Sequence, residues 1–80
     1  MKTIHVTYHA MLREERGQAT ETLKTAARTA GDLYDDLCRA HRLRWRKTQL
    51  RVAVNDTLRD WNTTLKSGDS VALLPPVAGG

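Results

Sequence analysis

Lys66-Ser67-Gly68-Asp69-Ser70-Val71-Ala72-Leu73-Leu74-Pro75-Pro76-Val77-Ala78-Gly79-Gly80 is the stretch on which the fold turns. Lys66 to Asp69 reads as a turn, and Ser70 to Leu74 as the strand it feeds. Pro75 and Pro76 remove backbone donors and fix φ, so the segment is not expected to fold back as helix or to continue as a central strand. Gly79 and Gly80 carry no side chain, so their backbone can pass through a slot too narrow for any other residue. A strand running into such a tail reads as a tethered carboxylate. The plainer reading is a frayed end, which is the default for termini. The rest of the chain decides between them.

Upstream, Thr3 to Tyr8 alternates, with Ile4, Val6 and Tyr8 on one face and Thr3, His5 and Thr7 on the other. That is a half-buried strand. Charged residues and Gly17 mark a turn region over Arg13 to Ala19. Thr20 to Thr25, rich in threonine around Leu23, is predicted to pair with the first strand as a hairpin. Thr29 then caps a helix, with Asp32 three residues on in the manner of a capping box. Asp32, Asp35 and Asp36 sit at its positive end and Arg39, His41 and Arg42 at its negative end, which suits the macrodipole. Leu33, Tyr34, Leu37, Cys38 and His41 form its core stripe. Leu50 to Val54 alternates again, with Leu50, Val52 and Val54 inward. Asn55-Asp56 is a turn, and Thr57 to Asp60 a short returning strand.

The predicted order is therefore β-β-α-β-β-β, with too few helices for a doubly wound sheet. The expected architecture is α+β, a mixed sheet packed on one main helix. If the first and last strands are parallel neighbours, the tail leaves from the middle of the sheet at one rim. That is a β-grasp, ubiquitin-like fold, with a domain over 1–74 and a flexible tail over 75–80.

Composition removes several function classes. Eighty residues make one small domain, of a size that buries only about 60% of the surface its unfolded chain exposes. Cys38 is the single cysteine, so no internal disulfide is possible, and as a small buried hydrophobe it is not expected to be a nucleophile. With only His5, His9 and His41 beside it, no metal site is expected. No stretch approaches the roughly 20 apolar residues of a membrane span, and the first residues lack a signal-like apolar run, so a cytoplasmic protein is expected. The formal net charge is +4, and Arg39, Arg42, Arg44, Arg46 and Lys47 gather around Trp45. Such a stripe could track phosphates. Aromatic residues make up only 5% of the chain, however, and there is no RNP-like, zinc-finger or glycine-clamp motif. A solvated helix end or a protein-docking patch is the expected reading, without nucleic acid.

Three stretches then carry a resemblance. These are Val54-Asn55-Asp56-Thr57-Leu58, the run from Leu65 to Gly80, and Tyr8-His9-Ala10-Met11-Leu12-Arg13-Glu14. Together they resemble the small subunit of molybdopterin synthase, the MoaD family, over the whole chain. The Gly-Asp-x-Val of Gly68 to Val71, in register with Pro75-Pro76-Val77-Ala78-Gly79-Gly80, is the most specific part. The resemblance implies a sulfur carrier. A MoeB-like activating enzyme would use ATP to adenylate the Gly80 carboxylate, and a sulfur donor would convert it to a thiocarboxylate. A MoaE-like large subunit, in a heterotetramer of two small and two large chains, would take up the tail. There the sulfur would pass to a pterin precursor in molybdenum cofactor biosynthesis.

Physical chemistry accommodates that scheme. A carboxylate is a poor electrophile until adenylation supplies a leaving group, and a thiocarboxylate is a soft nucleophile. Pro75 to Gly80 extended spans roughly 20 Å at about 3.3–3.6 Å per residue, enough to enter a buried pocket. The prolines lower the cost of ordering it. The resemblance further implies docking through the outer face of the sheet, by His9, Leu58 and Leu74, with Pro75, Pro76, Val77, Ala78 and Gly79 lining the partner's passage. His9 and Leu74 stand where the family favours aromatic residues. For Leu58 and Leu74 the plainer reading is core packing, and for His9 an ordinary surface histidine. The chain has no recognisable triad or carboxylate pair and is expected to bind no cofactor, as befits a carrier that is not catalytic by itself. The alternatives are a thiamine-type carrier, which shares the Gly-Gly end without the Pro-Pro-Val-x-Gly-Gly stretch, and a modifier joined through Gly80 to lysines.

Overall fold

Alternation places each strand in the computed structural model, which describes residues 1–75. The tail positions Pro76, Val77, Ala78, Gly79 and Gly80 lie outside the described residues. β1 (Lys2–Tyr8), β2 (Thr20–Thr25), β3 (Arg51–Val54), β4 (Thr57–Arg59) and β5 (Ser70–Leu74) form one sheet in the order β2-β1-β5-β3-β4. β1 and β5 are parallel, with Tyr8 opposite Leu73, and the other neighbours are antiparallel. The last strand is thus the central one, and it ends at one rim in the middle of the sheet. This is the β-grasp expected.

One face of the sheet is the core. Ile4, Val6 and Tyr8 of β1, Val52 and Val54 of β3, and Val71 and Leu73 of β5 are all buried in a single cluster. The main helix α2 (Ala30–His41) lays Ala30, Leu33, Tyr34 and Leu37 on it. Thr29 caps α2 as read from the sequence, its Oγ1 accepting from the Asp32 amide at 3.1 Å. Cys38 and His41, expected on the core stripe, are only half-buried at its margin. Burial pushes the Cys38 thiol up, which favours its neutral form.

The expected turn over Arg13–Ala19 is corrected. A short helix, α1 (Ala10–Arg16), occupies most of it, closed by Gly17 at φ 84°, whose amide donates to the Arg13 carbonyl at 2.9 Å. The reason is packing. Leu12 alone of this helix is buried, and it joins the core. One apolar contact per two turns leaves no 3.6-residue stripe to read. A 3-10 turn at Lys47–Gln49 adds a further short element, and the fourth strand stops at Arg59, one residue before the expected Asp60.

Two turns are tied together at the end of the sheet away from the tail. Asn55 and Asp56 have φ of 52° and 69°, the left-handed pair that a two-residue hairpin needs. Asn55 Oδ1 accepts from the Ser70 amide and its Nδ2 donates to Asp69 Oδ1, each at 2.9 Å. Asp69 Oδ2 in turn accepts from the Lys66 amide at 2.8 Å. The Asn55 amide and the Lys66 backbone hold the Asp69 carboxyl below its usual range. Asn-Asp and Ser-Gly-Asp are therefore the two halves of one clasp that sets the start of β5.

Candidate functional site

The site is the rim where β5 ends, together with the sheet face that adjoins it. Because Val71 and Leu73 point to the core, Ser70, Ala72 and Leu74 point the other way. The same alternation turns Thr3, His5 and Thr7 of β1 and Arg51 and Ala53 of β3 outward. Register then makes a row across the sheet, Thr7–Ala72–Ala53–Leu58, one residue from each of four adjacent strands. Among the described residues no helix covers this outer face. Its middle is floored by two alanines, and at its border Leu58 stands 58% exposed. Core packing is thereby excluded for Leu58.

Leu74 is the next outward residue along β5. It is half-buried and lies opposite Arg51 on β3. Pro75, also half-buried, is the last residue described. His9 is exposed and extended, at φ −120° and ψ 149°, where β1 hands over to α1. The parallel pairing of β1 with β5 puts His9 at the same rim as Leu74. The three sequence-predicted docking residues thus share one side of the molecule, with Leu58 and Leu74 on the outer face and His9 at its corner. Gly80, Gly79, Ala78, Val77 and Pro76 lie outside the described residues.

The corner is held by a network the sequence reading missed. Tyr8 Oη donates to Glu21 Oε2, and Arg16 donates to the same carboxylate at 3.0 Å and 2.9 Å. These residues come from β1, β2 and α1, so the bonds fix the turn that carries His9. Arg16 holds the Glu21 carboxyl below the ordinary range, and Tyr8 adds to this. Burial first, and Glu21 second, push the Tyr8 phenol up. Ala10 follows His9 at φ 50°, a left-handed backbone that alanine adopts only under constraint. Ala53 and Ala72 were also missed. Their signal was an outward strand position filled by a small apolar residue where a charge would serve solubility.

Chemically, this arrangement offers docking and presentation. No cluster of three or more His, Cys, Asp or Glu able to hold a metal occurs among the described residues. No helix among them is long and apolar enough to cross a membrane. What remains is an open sheet face with two alanines at its middle, beside a central strand that ends at the rim.

Comparison with known proteins agrees with this geometry. The sequence profile of the ThiS family matches residues 6–80. No curated protein matches the sequence. Among solved structures, a putative molybdopterin converting factor subunit 1 from Pyrococcus furiosus is similar at TM-score 0.80 and 24% identity, over 96% of this chain and 100% of that one. The small archaeal modifier protein 1 of Haloferax volcanii matches at TM-score 0.80 and 25% identity, over 96% and 100%. A chain in the complex of subunits 1 and 2 of the molybdopterin-converting factor from Helicobacter pylori matches at TM-score 0.68 and 29% identity, over 98% and 99%.

Proposed function

The chain belongs to the ThiS family of ubiquitin-like sulfur-carrier folds, and from that premise we propose that it is the sulfur-carrying small subunit of a molybdopterin synthase. The observation that carries the reading is the juxtaposition of an uncovered apolar face with the rim that delivers the tail. A protein that must lodge its C-terminus in another protein needs such a face to seat itself. The exposed Leu58 and the alanine floor supply it. The Helicobacter pylori relative was solved as a complex of two subunits, which supports a partner of the same kind here.

In this reading Gly80 is the reacting residue. An ATP-dependent activating enzyme adenylates its carboxylate with loss of pyrophosphate, and a sulfur donor then displaces AMP to leave the thiocarboxylate. The large subunit takes up Pro75 to Gly80, and the sulfur passes to its pterin substrate. Glycine at position 79 keeps the backbone slim in both channels. The chain itself supplies reach and placement, and the acid–base chemistry belongs to its partners.

Intact mass spectrometry tests the proposal. After incubation with an activating enzyme, ATP and a sulfur source, Gly80 should show oxygen-to-sulfur exchange, and addition of the large subunit and precursor should yield molybdopterin. Deleting Gly80 should abolish both while leaving the fold unchanged, and molybdopterin formed by the deletion variant rules out the carrier mechanism. The likeness to the Haloferax volcanii modifier supports a second reading, in which activated Gly80 joins a lysine amine. An isopeptide-linked product in place of the thiocarboxylate would decide for it.

A further inference from the structure

Arg42-Leu43-Arg44-Trp45-Arg46 crosses from the end of α2 to the 3-10 turn with a strict alternation of exposure. Leu43 is buried, Trp45 half-buried, and Arg42, Arg44 and Arg46 are all exposed. The loop is clamped along its length. The Arg42 amide donates to the Cys38 carbonyl at 2.8 Å, and the Arg46 amide to Gln49 Oε1 at 2.9 Å. Tyr34 Oη donates to the Trp45 carbonyl at 2.5 Å, and Trp61 Nε1 to the Lys47 carbonyl at 3.1 Å. The Arg44 amide reaches Glu15 Oε1 on α1 at 3.4 Å. A loop fixed at so many points holds the backbone positions of its three arginines in a set arrangement.

The charges on it are unspent. Arg16, Arg39 and Lys47 each have a carboxylate partner, on Glu21, Asp36 and Asp35. No ion pair engages Arg42, Arg44 or Arg46 among the described residues. Three neighbouring guanidiniums on a clamped loop make a positive patch that an anionic surface would complement. Guanidinium is suited to that task because it pairs carboxylates with two parallel bonds and is weakly hydrated.

Topology places the row near the rim where β5 ends. β3 begins at Arg51, opposite Leu74, so the segment leading into it approaches the sheet from the rim where β5 ends. The Arg44–Glu15 contact ties the loop to α1, which follows β1 at that same rim. The row lies on the helix side of the sheet, since Leu43 and Trp45 pack into the core beside α2. It is thus at the delivery end of the molecule but not on the apolar outer face.

Trp45 decides the class of partner. In a nucleic-acid surface it would stack on bases between the arginines. Here its ring is packed against the core, so no stacking platform accompanies the charges. What remains is short, rigid and purely electrostatic, the kind of contact that speeds encounter without prolonging it. A carrier must leave its activating enzyme to deliver the sulfur, so a fast, weak contact suits that encounter.

We propose that Arg42, Arg44 and Arg46 form a docking row for an aspartate- and glutamate-rich surface on the enzyme that activates the tail. This rests on the carrier reading above. The row raises the rate at which Gly80 is presented and takes no part in the chemistry. The test is the full-length chain carrying Arg42→Glu, Arg44→Glu and Arg46→Glu together, with pyrophosphate release measured against carrier concentration and salt. The KM for the variant should rise about tenfold or more with kcat unchanged, in line with the gain that steering gives association. The steep salt dependence of the original should flatten in the variant. The matching triple lysine variant should recover most of the loss, which a merely structural role would not allow.

An unchanged KM and salt dependence in the glutamate variant would overturn the proposal. So would salt-resistant binding of a single-stranded RNA oligonucleotide that the variant loses, which would reassign the row to nucleic acid. If the unaltered chain is never adenylated, the carrier reading fails instead, and the two failures are distinct.

Discussion

The two faces of the sheet are written by alternate residues of the same strands, yet they are built to opposite ends. On the inner face Ile4, Val6, Tyr8, Val52, Val54, Val71 and Leu73 are large and buried under α2. On the outer face the residues between them are His5, Thr7, Ala53 and Ala72, bordered by Leu58 and Leu74. The difference teaches how one short strand serves two tasks. Leu73 holds the domain together, and its neighbours Ala72 and Leu74 face the side of the sheet that no helix covers among the described residues. Folding depends on one set of residues, and the docking proposed above on the other.

Truncating neighbours on β5 is the strongest way to break that division. Leu73→Ala opens a cavity at a site only 1% exposed and should cost about 2–5 kcal/mol. Leu74→Ala, half-buried on the other side, should cost about 1 kcal/mol or less. Urea denaturation of the two variants measures both, and equal losses would show that the outer face is as much core as the inner one. The reverse experiment uses Leu58→Asp. A charge at an exposed border position should change stability by no more than about 0.5 kcal/mol. It should weaken binding to the large subunit by roughly ten- to a hundredfold, as loss of an apolar anchor does. Calorimetric titration with that subunit reads the second effect, and tight binding by Leu58→Asp would move the docking surface elsewhere.

Much of this division was legible in the sequence, and the reasons are local. Alternation in Thr3–Tyr8 and Leu50–Val54 gave both faces, because the period of a strand is short enough to show within five residues. Thr29 and Asp32 marked the start of α2 through a hydrogen bond spanning three residues. What could not be read was whatever depends on partners distant in the chain. α1 forms because Leu12 finds the core, and nothing within Ala10–Arg16 announces that. The Arg42–Arg46 run looked like a helix end around an available tryptophan. Bonds with Tyr34 and Trp61, 11 and 14 residues away, and with Glu15 on α1 show the backbone clamped. Of the proposed docking residues, His9, Leu58 and Leu74 came from the resemblance, whereas Ala53 and Ala72 became visible only once register joined four strands into a row.

The subtlest difference between the faces is electrical. The inner face closes at its β2 edge with Glu21, opposite Val6 and bonded to Arg16 and to Tyr8. Because Arg16 depresses the Glu21 carboxyl, the folded state keeps it ionised to lower pH than the unfolded chain does. Its contribution is therefore complete above the ordinary glutamate value of 4.5 and is lost as pH falls below that. Tyr8 acts in the opposite sense. Its phenol is raised from 10.0, so its contribution is intact below pH 10 and is lost as pH climbs beyond it. Glu21→Gln keeps an acceptor for Tyr8 but gives up the ionised pair with Arg16. It should cost about 1 kcal/mol near neutral pH, with the loss shrinking toward zero as acid protonates Glu21 in the original chain. Thermal melts of both proteins from pH 7 down to pH 3 measure this. Curves that stay parallel across that range would show that the Arg16–Glu21 contact does not hold the inner face closed.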